Sequence, residues 1–127
     1  MTTVLEWPGK ARAFALGRRL IDGPHLHLGD GGTPYLPDPS ENLLVVGDNL
    51  PALTALLATH RGQVKVVYID PPYNTGNAHT YKDHGHDHAS WLSFMAPRLL
   101  LARELMREDG VLFLHLDRKS TRLNSSH

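Results

Sequence analysis

The chain has 127 residues, and its thirteen basic and thirteen acidic residues cancel to a formal net charge of zero. This length is sufficient for one small domain with a hydrophobic core. The sequence contains no cysteine, which excludes disulfides, thiolate metal sites and a thiol nucleophile within this chain.

The distribution of charge is uneven along the chain. Arg118, Lys119 and Arg122 lie in the last ten residues, so residues 1–117 carry ten basic against thirteen acidic residues, a net charge of −3. Nucleic-acid-binding domains usually show a basic stripe, and this stretch shows none. No apolar run approaches ~20 residues and no signal-peptide pattern is present, which predicts a cytoplasmic protein without a membrane partner.

Residues 1–41 are weakly patterned and are predicted to form a leader to which no chemistry is assigned. Ala11–Ile21 fits a short helix whose arginines lie in solvent: Arg12, Arg18 and Arg19. The segment from Asp22 to Ser40 is rich in glycine and proline and indicates a loop or extended arm. His25 and His27 alternate with leucines, which would suit a short strand, and a solvated role for them is favoured over a metal pair.

The next segment predicts a strand followed by a helix. Asn42–Val46 is a short apolar run that ends at Gly47-Asp48-Asn49. Asp48 or Asn49 is expected to be the N-cap of a helix over Leu50–His60, with proline in its first turn. The apolar stripe of that helix is formed by Leu50, Leu53, Leu56 and Leu57.

A second strand is predicted over Val64–Ile69, where β-branched and aromatic residues dominate. It stops at Asp70 and continues into a loop that holds two prolines. A carboxylate at the carboxyl end of such a strand lies where open α/β sheets bind their ligands.

The polar loop that follows holds the histidine-rich run Asp83–His88. Histidine and aspartate are ligands for zinc or nickel, but alternating histidines in a glycine-containing loop are usually solvated, and no metal site is predicted. Ser90–Asp109 fits the longest helix, with a bend expected at Pro97. Val111–Leu116 would form a third strand that ends at Asp117, so that Asp48, Asp70 and Asp117 would share one acidic edge.

The sequence Asp70-Pro71-Pro72-Tyr73 resembles the catalytic motif of the amino-group DNA methyltransferases. The longer ordered set GDNLPALTALL, VKVVYIDPPYNTGN and WLSFMAPRLLLARELM is most similar to the modification subunits of type III restriction systems and their solitary relatives. The resemblance implies a partial Rossmann-like α/β fold of about three parallel strands with flanking helices. Residues 42–117 would be the N-terminal part of the catalytic domain.

The resemblance also implies the ligands and the site residues. S-adenosylmethionine would be the methyl donor. Double-stranded DNA would be the partner, bound through a recognition domain that this chain lacks. Self-association or a restriction subunit would be further partners. The expected catalytic residues are Asp70, Pro71, Pro72 and Tyr73. The expected cofactor-binding residues are Asp48, Asp70 and Asn74.

The chemistry explains these residue types. The lone pair of an exocyclic amine is delocalised into the base, so the nitrogen is a poor nucleophile. If Asp70 and the Pro71 carbonyl each accept one amine hydrogen, they stabilise the positive charge that develops on nitrogen. Tyr73 offers a face for a base extruded from the duplex, a contact worth roughly 1–3 kcal/mol. Direct transfer to an amine needs no cysteine.

Two different roles are predicted for Asp48. The resemblance implies a contact with the adenosine of the cofactor, whereas the residues alone are equally compatible with a simple helix cap. Both roles cannot easily use the same carboxylate oxygen.

The resemblance ends at Asp117. Residues 118–127, RKSTRLNSSH, do not continue the family pattern and are expected to be a non-native or disordered tail. No Phe-x-Gly-x-Gly cofactor loop occurs, so an N-terminal fragment that is inactive alone is expected. Alternatives are amine methylation of cytosine, RNA or protein, a non-catalytic remnant, and, as a distant third, a metal hydrolase.

Overall fold

The computed structural model describes residues 3–23, 27–29, 35–72 and 88–116. Within these ranges the chain forms three helices and two strands. In order they are α1 (Lys10–Asp22), α2 (Asn49–His60), β1 (Val64–Ile69), α3 (His88–Leu105) and β2 (Met106–Leu114). The predicted α/β class is confirmed.

The two strands pair in parallel, with Val66 opposite Val111 and Ile69 opposite Leu114. Parallel neighbours need a crossover connection, and α3 lies in it. The register shifts between Val64 and Val66, where β2 has three more residues than β1 between the paired positions. Gly110 lies in this irregular stretch, and a Cβ at that position would come within 3.0–3.3 Å of three carbonyl oxygens.

An ion pair joins the two strands at the same end of the sheet. Lys65 Nζ lies 2.8 Å from Asp109 Oδ2. This hydrogen bond lowers the pKa of the Asp109 carboxyl from its usual value, with a smaller contribution from Arg107.

The two faces of the sheet differ in burial. One face is half-buried and carries Val67, Ile69, Leu112 and Leu114. The other face is exposed and carries Val66, Tyr68, Val111 and Phe113. This alternation follows from the period of two residues in a strand.

The core lies between the helices, and Val64 at the start of β1 packs against it. Its buried cluster is Leu57, Leu101 and Leu105, surrounded by apolar side chains from α1, α2 and β1. α1 approaches α3 closely at Gly17, where a Cβ would lie 2.6 Å from Leu100 Cδ1 and 3.3 Å from Pro97 Cα. Glycine therefore permits this helix contact. Pro97 is buried within α3, so the prediction that the helix continues through it is confirmed.

α3 ends earlier than the sequence suggests, at Leu105 rather than Asp109. The last carbonyls of a helix lack partners within it. Here the backbone N–H of Gly62 donates to Glu104 O at 3.1 Å, and that of Gln63 donates to Leu105 O at 3.0 Å. The turn after α2 satisfies these carbonyls, so the chain can leave the helix and enter β2 at Met106.

The predicted strand over Asn42–Val46 is not formed. Strands are stabilised by hydrogen bonds to a neighbouring strand, and within the described ranges this segment has no such neighbour. Val46 is 89% exposed. The expectation of about three parallel strands is therefore corrected, for the described residues, to two. Near the predicted His25–Leu28 strand, Leu28 and Tyr35 form one isolated antiparallel bridge.

Among the helices of the described ranges, none combines the length and the apolar character needed to cross a membrane.

Candidate functional site

Asp70 follows the last residue of β1, at the carboxyl edge of the parallel pair. Its side chain is 62% exposed, and its Oδ1 lies 3.6 Å from Nδ1 of His115. The backbone N–H of His115 donates to Ile69 O at 2.9 Å, which extends the strand pairing and brings the imidazole beside the carboxylate. The acid is therefore exposed at a strand end, beside His115.

The two prolines that follow are held against the start of α3. Pro71 is buried and Pro72 is exposed. The indole Nε1–H of Trp91 donates to the carbonyl oxygen of Pro72 at 2.8 Å. Because a proline ring also fixes its own φ, the backbone after Asp70 has little freedom. This rigidity suits a site that must present a carboxylate and a carbonyl together.

Several predicted residues lie outside the described part of the chain. Tyr73 and Asn74 belong to residues 73–87, as does most of the histidine-rich run, of which only His88 is described, at the first position of α3. Asp117 lies just beyond the described residues. The roles assigned to them stay predictions.

Asp48 is the N-cap of α2, as the sequence suggested. Its Oδ1 accepts a hydrogen bond from the Leu50 backbone N–H at 2.9 Å. The preceding Gly47 has φ 150, a conformation that favours glycine and lets the chain turn into the helix. Asp48 does not end a strand, so the predicted acidic edge built from three strand ends is corrected: in the described residues only Asp70 has that position.

Arg98 interrupts an apolar stripe of α3, and no role was predicted for it from the sequence. Its side chain is 10% exposed. The guanidinium donates to Asn49 Oδ1 at 2.6 Å, to Asp48 Oδ1 at 3.2 Å and to the Phe94 carbonyl at 2.8 Å. It also lies 3.7 Å from the centroid of the Phe94 ring, a cation–π contact. The signal that could have revealed it was a charge inside an otherwise apolar helical stripe.

These contacts involve only one of the two carboxylate oxygens of Asp48 in the described chain. The helix cap and the arginine both bind Oδ1. In the described chain no hydrogen bond to Oδ2 is found. A cap and a ligand contact can therefore coexist on this carboxylate, because they use different oxygens.

The sequence matches the model of a family described as DNA methylase over residues 64–125. This segment contains β1, Asp70 with its prolines, α3 and β2. The site geometry and the family match thus fall on the same part of the chain.

Similar proteins come from restriction-modification systems. A protein named probable type III restriction-modification enzyme HindVI Mod subunit, from Haemophilus influenzae, is 47% identical over 62% of this chain and 11% of its own length. A type III restriction-modification enzyme Mod subunit of Escherichia coli is 36% identical over 89% of this chain and 22% of its own. The type II methyltransferase M.KpnI of Klebsiella pneumoniae is 34% identical over 63% and 21%, respectively.

The class of protein that residues 64–125 match is that of the DNA methylases. Within that class, the resemblance to the type III modification subunits is confirmed. The chain spans only about a tenth to a fifth of the length of these relatives.

Arg98 is expected to contribute to stability through the contacts just described. Replacing it with methionine keeps the packing volume but leaves the cap segment without its donors. We expect Arg98→Met to lower the free energy of unfolding by about 1–3 kcal/mol, the cost of removing a charged hydrogen-bond partner. Urea unfolding followed by circular dichroism would measure this.

Arg103→Met is the matched control for that variant. Arg103 lies on the same helix, is exposed and has no carboxylate partner in the described chain. Its replacement should change the unfolding free energy by no more than about 0.5 kcal/mol. Equal losses for the two variants would contradict the assigned role of Arg98.

Proposed function

We propose that this chain forms part of an enzyme that transfers a methyl group from S-adenosylmethionine to the exocyclic amine of adenine in DNA. The observation that carries the proposal is Asp70, accessible at the carboxyl end of a parallel strand and followed by two prolines that Trp91 anchors. The whole enzyme would be longer, because the matched relatives extend well beyond the aligned region.

In the proposed mechanism Asp70 accepts one hydrogen of the amine. The carbonyl of Pro71 accepts the other, as the resemblance implies. With both hydrogens held, the nitrogen lone pair is directed away from the base plane, and the carboxylate stabilises the charge that develops on nitrogen. Tyr73 would stack on the extruded base.

The residues of this chain fit the proposed cofactor in one respect. Oδ2 of Asp48 has no hydrogen-bond partner in the described residues and can accept from a hydroxyl or amine. Asp70 and Asn74 are the other proposed contacts. S-adenosylmethionine would supply the electrophilic methyl group. The role of the chain is to orient the cofactor and the amine for an in-line transfer.

Adenine, rather than another amine, is the proposed substrate. Asp70 together with the Asn-Thr-Gly-Asn extension favours adenine in DNA, while cytosine, RNA or protein amines remain the alternatives. Mass spectrometry of nucleosides from treated DNA would identify the methylated base. The names of the type III relatives also support a restriction subunit as a proposed partner, with self-association as a second proposal.

Asp70→Ala should reduce methyl transfer by the full-length protein at least about 100-fold, the scale seen when one transition-state hydrogen bond is lost. Transfer of a tritiated methyl group to DNA is the measurement. Glu108→Ala removes an exposed carboxylate on β2 that has no assigned role, and activity should be retained. A fully active Asp70→Ala enzyme would refute the proposed mechanism.

Asp48→Asn separates the cap from the cofactor contact. Asparagine is as good an N-cap as aspartate and keeps one oxygen for the Leu50 N–H and for Arg98, so α2 should remain stable. The carboxylate is lost, and we expect the KM for S-adenosylmethionine in the full-length protein to rise about tenfold or more, equivalent to one hydrogen bond to a charged group. An unchanged KM would mean that Asp48 serves only as a cap.

The 127-residue chain alone is proposed to bind S-adenosylmethionine weakly and to transfer no methyl group. The exposed apolar face of the two-stranded sheet supports this, because parallel sheets are normally covered on both faces. Isothermal titration calorimetry of this chain should show no binding tighter than about 100 μM, which corresponds to roughly −5.5 kcal/mol. Low-micromolar affinity would overturn this proposal.

A further inference from the structure

An open groove with a volume of about 960 Å³ lies along the beginning of α1. The rings of Trp7 and Phe14 form an aromatic floor, with centroids 6.2 Å apart and planes tilted by 48°. The cations of Lys10 and Arg18 lie over these two rings. The charged residues that line it are Glu6, Lys10, Arg12 and Arg18. The groove therefore combines flat apolar surfaces with an excess of cations.

Among the described residues, no carboxylate pairs with Arg12 or Arg18 of this groove. Lys10 Nζ lies 2.8 Å from Glu6 Oε1, so the only acid of the lining is already paired. Within the described ranges nine lysines and arginines occur, and five of them have a carboxylate partner. The four that have none are Arg12, Arg18, Arg19 and Arg103. Three of these four lie on α1.

The groove is anchored at the same end of α3 as the candidate catalytic residues. The Trp7 indole donates to Ser93 Oγ at 3.0 Å, two residues from Trp91, which donates to Pro72 O. The start of α3 faces the carboxyl edge of the sheet, because the helix connects two parallel strands. One turn of α3 therefore contacts both the groove and the proline segment that follows Asp70.

We propose that this groove binds the sugar–phosphate backbone of DNA beside the target base. Arginine guanidinium groups donate to phosphate oxygens in a forked geometry, and an aromatic floor can stack against a sugar or base. Contacts of this kind position a protein on the duplex without reading sequence. The choice of DNA as partner rests on the proposed function, whereas the charge and shape of the groove do not.

The test measures binding of the 127-residue chain to a fluorescein-labelled 20-base-pair duplex by anisotropy, without cofactor, over a series of salt concentrations. We expect the unmodified chain to bind with a dissociation constant of about 10⁻⁶–10⁻⁴ M at the low end of the salt range. Arg12→Gln and Arg18→Gln should each weaken binding about threefold to tenfold and reduce the slope of log K against log salt by about 0.9. Glutamine preserves helix propensity.

Arg103→Gln is the matched control, because it removes an equally unpaired charge from a residue outside the groove. Its affinity and salt slope should equal those of the unmodified chain. An equal loss for Arg103→Gln, no change for Arg12→Gln and Arg18→Gln, or no duplex binding by the unmodified chain would each overturn the proposal. Stronger, arginine-dependent binding of polyglutamate than of the duplex would also overturn it, in favour of an acidic protein partner.

Duplex binding and methyl transfer, measured side by side on the full-length protein, separate this proposal from the proposed reaction. If the full-length protein keeps arginine-dependent DNA binding but transfers no methyl group, the proposed methyl-transfer reaction is refuted and the proposed DNA-binding role of the groove is not. If methyl transfer persists while the arginine variants bind DNA normally, the proposed role of the groove is refuted and the reaction is not.

Discussion

The parallel pairing of β1 with β2 is the constraint on which the candidate site depends. Because both strands run in the same direction, the chain must return from the carboxyl end of one to the amino end of the other, and α3 makes most of that return. The start of α3 is thereby brought to the edge where Asp70 emerges. The hydrogen bond from Trp91 to Pro72 is a direct consequence, since it joins the first turns of α3 to the loop that leaves β1.

The sequence was sufficient wherever a local signal decided the structure. β1 is a run of β-branched and aromatic residues that ends at turn formers, and α2 has an aspartate cap followed by a stripe of leucines; both were predicted and found. Asp70 was located for the same reason, because its position depends on where one strand stops. In these cases neighbouring residues carry the information, and distant contacts change little.

Predictions failed where partners far apart in sequence decide the outcome. Asn42–Val46 has the composition of a strand, but a strand exists only when another strand pairs with it. The end of α3 was misplaced because Gly62 and Gln63, more than forty residues earlier, satisfy its last carbonyls. The side-chain hydrogen-bond partners of Arg98 likewise come from a segment about fifty residues away, so the sequence showed only an isolated charge in an apolar stripe.

The net charge of the sequence also failed to predict a feature that depends on contacts between distant residues, and this feature bears on function. Residues 1–117 carry a net charge of −3, which by itself argues against a surface for an anionic partner. Net charge, however, does not determine local charge, because ion pairs remove particular cations from those available to a ligand. Here the pairs form at Lys10, Arg61, Lys65, Arg98 and Arg107, whereas Arg12, Arg18 and Arg19 are left without carboxylate partners in the described chain. A nearly neutral protein can thus present a cationic surface on one helix, and that helix packs against α3.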